Sequence, residues 1–264
     1  MPEISEAFNI AKKLPKDDII IDQIFNQKIK FKNYQNLSGY KIIKIFNYGK
    51  SIIFELTKNE DKIYLLSQLG MTGSWFINNS PRDEKHSHFI LVLKKTKLIY
   101  SDPRTFGSLG LYSSINEIVK TKKWGLNLSE LSATQIFNLI KNYNHHKKIK
   151  SFLLDQKYFC GIGNYLASEI LFHAKINPYK RFDLLNINQL KQLAKSIFYV
   201  IKKTKKHGGY SFYSGYILPD NSLGNYKDYV LIYKKEKCIE CNHLIKKEYI
   251  EQRATYYCPY CQKK

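Results

Sequence analysis

Acidic residues are scarce in this chain: 22 Asp and Glu stand against 43 Lys and Arg in 264 residues, a formal charge of +21. Such a field draws polyanions, and release of counterions favours binding to a phosphate backbone. Codon bias toward Lys, Ile and Asn does not explain the imbalance, because it would raise Glu as well. No apolar run reaches the roughly 18–20 residues that a membrane span needs. Met1-Pro2-Glu3 turns polar and acidic too early for a targeting peptide, so a cytoplasmic or nucleoid-associated setting inside the cell is expected. An anionic membrane surface is the competing partner for this charge, but it requires an exposed amphipathic helix carrying the lysines, and the helical stripes here look core-facing. Repeats and low-complexity tracts are also missing, and a monomer is expected.

Cysteines number only five, yet four of them close the chain in two pairs, Cys238-Ile-Glu-Cys241 and Cys258-Pro-Tyr-Cys261. That spacing suits a tetrahedral zinc site of four thiolates, and the sixteen intervening residues suffice for two short strands and a turn. The alternative of two disulfides requires an oxidising compartment and leaves Cys160 unpaired. Cys160 itself reads as a lone buried thiol.

A hydrophobic content of 44% supports proper cores. The stripe Ile4, Ala7, Phe8, Ala11 and Leu14 predicts a helix that Pro15 stops. From Ile19 to Tyr112 short runs rich in Ile, Phe, Tyr and Leu, such as Ile42 to Phe46 and Ile52 to Leu56, predict the strands of a sandwich or barrel. After Trp124-Gly125 the period becomes helical. Ser132 and Gln135 form a capping-box pattern, a second helix runs from Tyr165 to Ala174, and a longer one ends at Gly208-Gly209. Residues 210–226 have loop composition, and ordered loops of that length usually serve function.

Some of these residues can carry chemistry. Removal of the initiator would leave Pro2 with a free secondary amine, able to attack an electrophilic sugar carbon, beside the Glu3 carboxyl, able to move protons. Gly161-Ile162-Gly163-Asn164 opens a helix, where backbone N–H groups can hold a phosphate, although a plain capped turn explains the same letters. Arg253, just ahead of the second cysteine pair, places a fixed cation beside the metal.

Taken in order along the chain, six segments resemble the formamidopyrimidine-DNA glycosylase and endonuclease VIII family, and formamidopyrimidine-DNA glycosylase most closely. They are Pro2-Glu3 with Glu6, Gly49-Lys50, Leu69-Gly70-Met71-Thr72-Gly73, Asp102-Pro103-Arg104-Thr105-Phe106-Gly107, Gly161-Ile162-Gly163-Asn164 and Gln252-Arg253-Ala254-Thr255. The resemblance implies an α+β chain: an N-terminal β-sandwich with a leading helix over residues 1–125, a helix-two-turn-helix domain with a lesion loop over 126–227, and a zinc hairpin over 228–264, with double-stranded DNA in the cleft between domains. It implies a bifunctional glycosylase and abasic-site lyase of base-excision repair, with Pro2 as nucleophile, Glu3 as acid, Lys50 at β-elimination and Arg253 at δ-elimination. The zinc would be structural, on Cys238, Cys241, Cys258 and Cys261. Met71, Arg104 and Phe106 match residues that fill the void left by an extruded nucleotide, and His86, Lys150 and Asn164 match DNA-backbone or site-lining positions.

Departures from the family pattern are Ser5 for proline, Gln68 for histidine, Thr105 for a second arginine, and His145 near a position that is often lysine. The segment Tyr210 to Tyr216 is aromatic-rich where the purine-specific branch carries a Thr- and Lys-containing lid. Oxidised purines are the expected lesions, with oxidised pyrimidines, or damaged-DNA binding without chemistry, as alternatives.

Overall fold

The computed structural model describes residues 2–210 and 216–263. It divides into two compact units, residues 1–123 with 207–227, and 124–206 with 228–264.

The first unit opens with α1 (Ile4–Lys13), which buries Ile4, Ala7, Ile10 and Ala11 on one face. Nine strands follow: β1 (Ile20–Phe25), β2 (Lys30–Lys32), β3 (Lys41–Tyr48), β4 (Ser51–Lys58), β5 (Asp61–Gln68), β6 (Ser74–Ile77), β7 (Ser87–Leu93), β8 (Lys97–Ser101) and β9 (Ser108–Tyr112). They form a four-stranded sheet, β1-β7-β8-β6, and a five-stranded sheet, β2-β9-β5-β4-β3. Apolar side chains of both sheets, among them Phe54, Leu65, Trp75, Phe89 and Tyr100, share one core with α1. Phe54 and Trp75 have no exposed surface, so truncating either to alanine should cost about 3–5 kcal/mol. The strands expected at 42–46 and 52–56 lie inside β3 and β4. β1 and β2 are mostly exposed, and β2, Lys-Phe-Lys, carries a single apolar residue that gives no pattern to reveal it.

A short helix α2 (Ile115–Lys122) ends the first stretch of this unit, and β10 (Leu126–Asn127) begins the second unit. There follow α3 (Ala133–Ile140), α4 (Ile149–Leu153), β11 (Phe159–Cys160), paired with β10, α5 (Asn164–His173) and α6 (Ile187–Lys206). The Ser132–Gln135 capping box predicted for α3 is present. α5 starts at Asn164 with Gly163 as its N-cap, so Asn164 is a helical residue and not the cap. β12 (Lys246–Ile250) and β13 (Arg253–Tyr257) form the expected hairpin near the end.

The chain grouping differs from the expected 126–227 and 228–264. Residues 207–227 return to the first unit, while the hairpin belongs with the helices. Gly208 and Gly209 take positive φ of 71° and 79°, which lets the chain leave α6 sharply. It is then tied to the first unit by Ile77 N–H to Pro219 O at 3.0 Å and Ser74 Oγ to Ile217 O at 2.8 Å. Composition marks a loop but does not say which core it covers. No helix among the described residues is long and apolar enough to cross a membrane.

Candidate active site

In the first unit the helix start and one hairpin turn are joined. Pro2 and Glu3 are buried, with Glu3 4% exposed, and Glu6 Oε2 accepts the Glu3 N–H at 2.8 Å. Tyr48 pairs with Ser51, which leaves Gly49 and half-buried Lys50 as a two-residue turn between β3 and β4, with Gly49 at φ 53°. Asn47, 4% exposed, donates from Nδ2 to Gly49 O at 3.1 Å and to Ile4 O at 3.4 Å. That amide joins the Lys50 turn to the head of α1, so Pro2, Glu3 and Lys50 share one corner. Glu6 Oε1 also accepts the Tyr210 N–H at 2.6 Å, and a Cβ on Gly209 would stand 2.6 Å from that oxygen. The rest of the aromatic loop, 211–215, lies outside the described residues.

A second group is built from two turns of the same unit. A Cβ on Gly70 would meet the backbone at Phe106 and Gly107 at 2.7 Å, and Gly70 has φ +62°. The turns touch backbone to backbone, which only glycine permits. Asp102, fully buried, ties them together: its Oδ1 accepts Thr72 Oγ1 at 2.5 Å and its Oδ2 accepts the Gly107 N–H at 2.7 Å. Arg82 adds donations from Nη1 to Thr72 O at 2.7 Å and Ser101 O at 2.9 Å. Raised on this base, Met71 is 40% exposed and Phe106 60%, with the Arg104 guanidinium 4.7 Å from the Phe106 ring centroid. An exposed Phe and Met beside a stacked arginine are ill-suited to a core and well suited to meeting bases. His86 is half-buried, and its carbonyl accepts the Asp102 N–H at 3.0 Å.

The second unit carries Lys150, Asn164 and Arg253. Lys150 is fully buried, its ammonium donating to Asn164 O at 3.0 Å and Ser168 Oγ at 2.7 Å. The side chain braces the first turn of α5 from inside. Asn164 donates from Nδ2 to Ala254 O at 2.9 Å, while its buried Oδ1 has no hydrogen-bond partner among the described residues. Arg253 is exposed at the start of β13, after a turn in which Glu251 and Gln252 take positive φ of 47° and 61°. Glu169 on α5 accepts the N–H groups of Leu231, Ile232 and Tyr233 at 2.9–3.0 Å. Burial nonetheless pushes its carboxyl above the ordinary range, outweighing those bonds.

The four paired cysteines converge, with their sulfurs all within 4.8 Å of one another. Cys241 and Cys258 sulfurs are 3.4 Å apart, and those of Cys238 and Cys261 are 3.8 Å apart. Ligands about 2.3 Å from a tetrahedral ion stand about 3.8 Å from each other, so the set fits a metal ion. Without a cation such a cluster resists ionisation: burial first, and the neighbouring sulfurs next, push the Cys261 thiol up. Cys160 stands apart, buried in β11.

Asn47, Arg82 and Glu169 were not identifiable as site-builders from sequence. Asn47 left a faint signal as an amide among Ile45, Phe46 and Tyr48, and Glu169 as the one charge in the largely apolar run 165–172, whereas nothing around Arg82 distinguishes it from a surface charge.

Known proteins match the chain over its length. Residues 1–109 match the formamidopyrimidine-DNA glycosylase N-terminal domain and residues 128–214 the formamidopyrimidine-DNA glycosylase H2TH domain. A formamidopyrimidine-DNA glycosylase of Mycoplasmopsis pulmonis is 33% identical, covering 100% of this chain and 98% of the relative, and one of Lactococcus lactis is 32% identical over 100% of both. The MutM (Fpg) protein of Thermus thermophilus superposes with a TM-score of 0.85 at 26% identity, over 99% of this chain and 98% of that one. The Lactococcus lactis Fpg bound to abasic-site DNA superposes at 0.81 and 28% identity, over 99% of this chain and 100% of that one. Two matching domains in sequence, and relatives aligned end to end at about a third identity, make the chain a member of the formamidopyrimidine-DNA glycosylase family.

Proposed function

We infer that this protein is a DNA glycosylase of base-excision repair that acts on double-stranded DNA with damaged or abasic nucleotides, with formamidopyrimidines and 8-oxoguanine as its first substrates. Family membership supports the reaction class, and the arrangement that carries the reading is the corner in which Asn47 joins the Lys50 turn to the helix start bearing Pro2 and Glu3. The Pro2 nitrogen, once unblocked, attacks C1′ of the extruded nucleotide as the N-glycosidic bond breaks, and Glu3 supplies a proton to assist loss of the base. The C1′–O4′ bond then breaks, with a proton from Glu3 going to O4′, and the ring-opened iminium acidifies C2′. Lys50 assists β-elimination, which releases the 3′ phosphate oxygen, and Arg253 serves the following δ-elimination. Met71, Arg104 and Phe106 enter the space left in the duplex. Asn164 and His86 hold backbone, and Lys150 acts through Asn164.

The four cysteines would hold one zinc ion, which supplies charge for four thiolates and no open position for chemistry. Functionally, the sandwich carries catalysis, the helical segment and the hairpin grip DNA, and residues 207–227 lie over the first unit. Solved structures of the Lactococcus lactis protein include complexes with Fapy-dG DNA and with oxidised-pyrimidine DNA, so lesion choice is tested on both.

Borohydride trapping on abasic, 8-oxoguanine and thymine-glycol duplexes tests the reading. A covalent adduct is expected, with faster cleavage of the 8-oxoguanine duplex, and Pro2→Gly should abolish the adduct. Absence of an adduct on all three duplexes would overturn the assignment.

A further inference from the structure

The β12–β13 hairpin turns one strand face toward its own unit. Directly opposed residues share a face, so the pairs Glu248↔Thr255 and Ile250↔Arg253, with Tyr257 opposite Lys246, line up on one side of the ribbon. Along that face Thr255 is 1% exposed, Ile250 2% and Tyr257 6%, whereas Arg253 is exposed. A carboxylate in the middle of such a face is costly unless donors meet it. Two do. Glu248 Oε2 accepts the hydroxyl of Tyr257, within the hairpin, at 3.1 Å and the hydroxyl of Tyr179, on the segment after α5, at 2.5 Å.

We propose that Glu248 is a positioning residue: by clasping Tyr179 and Tyr257 at one oxygen, it sets the pitch of the hairpin and so the place of Arg253, two residues away along the same face. The role of Arg253 rests on the function proposed above, while the clasp itself does not.

Three observations carry the idea. A two-stranded ribbon is marginal on its own and takes its orientation from what holds it. Its other polar attachments include Asn164 Nδ2 to Ala254 O and, in the cysteine knuckle, Asn177 Nδ2 to Gln262 O at 2.8 Å, and on the opposite face Tyr256 packs edge-on against Tyr233 at 5.1 Å between centroids. The clasp residues themselves border an open cavity of about 450 Å³, together with Asn177, Lys246 and Pro259, so no side chains pack on the clasp from that side. The clasp is a polar brace at mid-stem on the face that carries Arg253, and its bonds are charge-assisted, the stronger class of hydrogen bond.

Hydrogen exchange of the hairpin amides in the metal-loaded full chain, with metal content and the ratio of δ- to β-elimination products, tests the proposal. In Glu248→Ala, exchange at residues 250–255 should rise about tenfold, the scale of one lost charge-assisted bond, with the metal retained. The δ product should fall toward its level in Arg253→Ala, while borohydride trapping through Pro2 persists. Tyr179→Phe, which leaves the bond within the hairpin intact, should give the same changes at smaller size, and Glu248→Gln, which keeps an acceptor oxygen, should restore most of the wild-type behaviour. Unchanged exchange in both Glu248→Ala and Tyr179→Phe overturns the clasp, and so does loss of metal in both, which would make the bonds part of hairpin folding. If the wild type forms no adduct, the functional reading fails while exchange still decides the clasp. If exchange rises and Arg253→Ala alters the products but Glu248→Ala does not, the positioning role is overturned.

Discussion

Lys50 and Arg253 each sit at a two-residue hairpin turn, one between β3 and β4 and the other between β12 and β13, and different physics holds each turn in place. The first stands on a five-stranded sheet whose residues Ile45, Ile52 and Phe54 are buried in the sandwich core, and one buried amide, Asn47, trims its tip. The second stands on two strands alone, with a small cluster of Phe172, Ile232, Cys238 and Cys258 at its root and polar latches along its stem. Hydrophobic burial places the first cation, and sulfur chemistry plus a few hydrogen bonds place the second. The second arrangement depends on its cysteine root and latches, and the first on the whole sandwich core.

Removing the metal should break this comparison most strongly. Cys258→Ser, or a strong chelator, should leave the sandwich folded, read as a retained near-ultraviolet signal from buried Trp75. Affinity for an abasic-analogue duplex should fall by about two orders of magnitude, the scale of losing several phosphate contacts. A smaller effect is expected on the other side. Asn47→Ala should cost about 1–2 kcal/mol of stability and slow borohydride-trappable adduct formation through Pro2 about tenfold, with metal content unchanged; denaturant melts and trapping rates read the two parts. The smallest effect concerns pH. His173, stacked on Tyr199 at 4.5 Å between ring centroids, is held below its ordinary value, first by burial and then by Lys175 and Lys203. The unfolded chain therefore takes up this proton near pH 6.5 and the folded chain only at lower pH. The contribution to stability is present above about pH 6.5 and declines as pH falls through the folded value. His173→Phe should flatten that limb by about 0.5 kcal/mol or less in melting curves taken from pH 7.5 to 5.

Legibility in the sequence followed how local the cause was. Helix α3 was readable because Ser132 and Gln135 cap it through neighbours in the chain, and the buried strands because their apolar runs mark them. Exposed β2, Lys-Phe-Lys, lacks that mark. The cysteine pairs announced a metal site by spacing alone, and the structure gathers them. Lys150 illustrates the opposite case. A lysine in a basic stretch reads as a surface cation, and only the approach of Ser168 and the Asn164 carbonyl makes a buried ammonium tolerable there. Residues 207–227 read as a loop from their composition, but their attachment depends on Glu6, Ser74 and Ile77, far away in the chain.

By itself the sequence determined the family, the metal-ligand set, the helix stripes and the charge, since each is written in residues a few positions apart or in sums over the chain. Tertiary structure alone decided which polar groups meet: Asn47 with the head of α1, Asp102 with Thr72 and Gly107, Glu248 with two tyrosines. Hydrogen bonds act over about 3 Å, and these partners are brought within that reach only after the cores have formed.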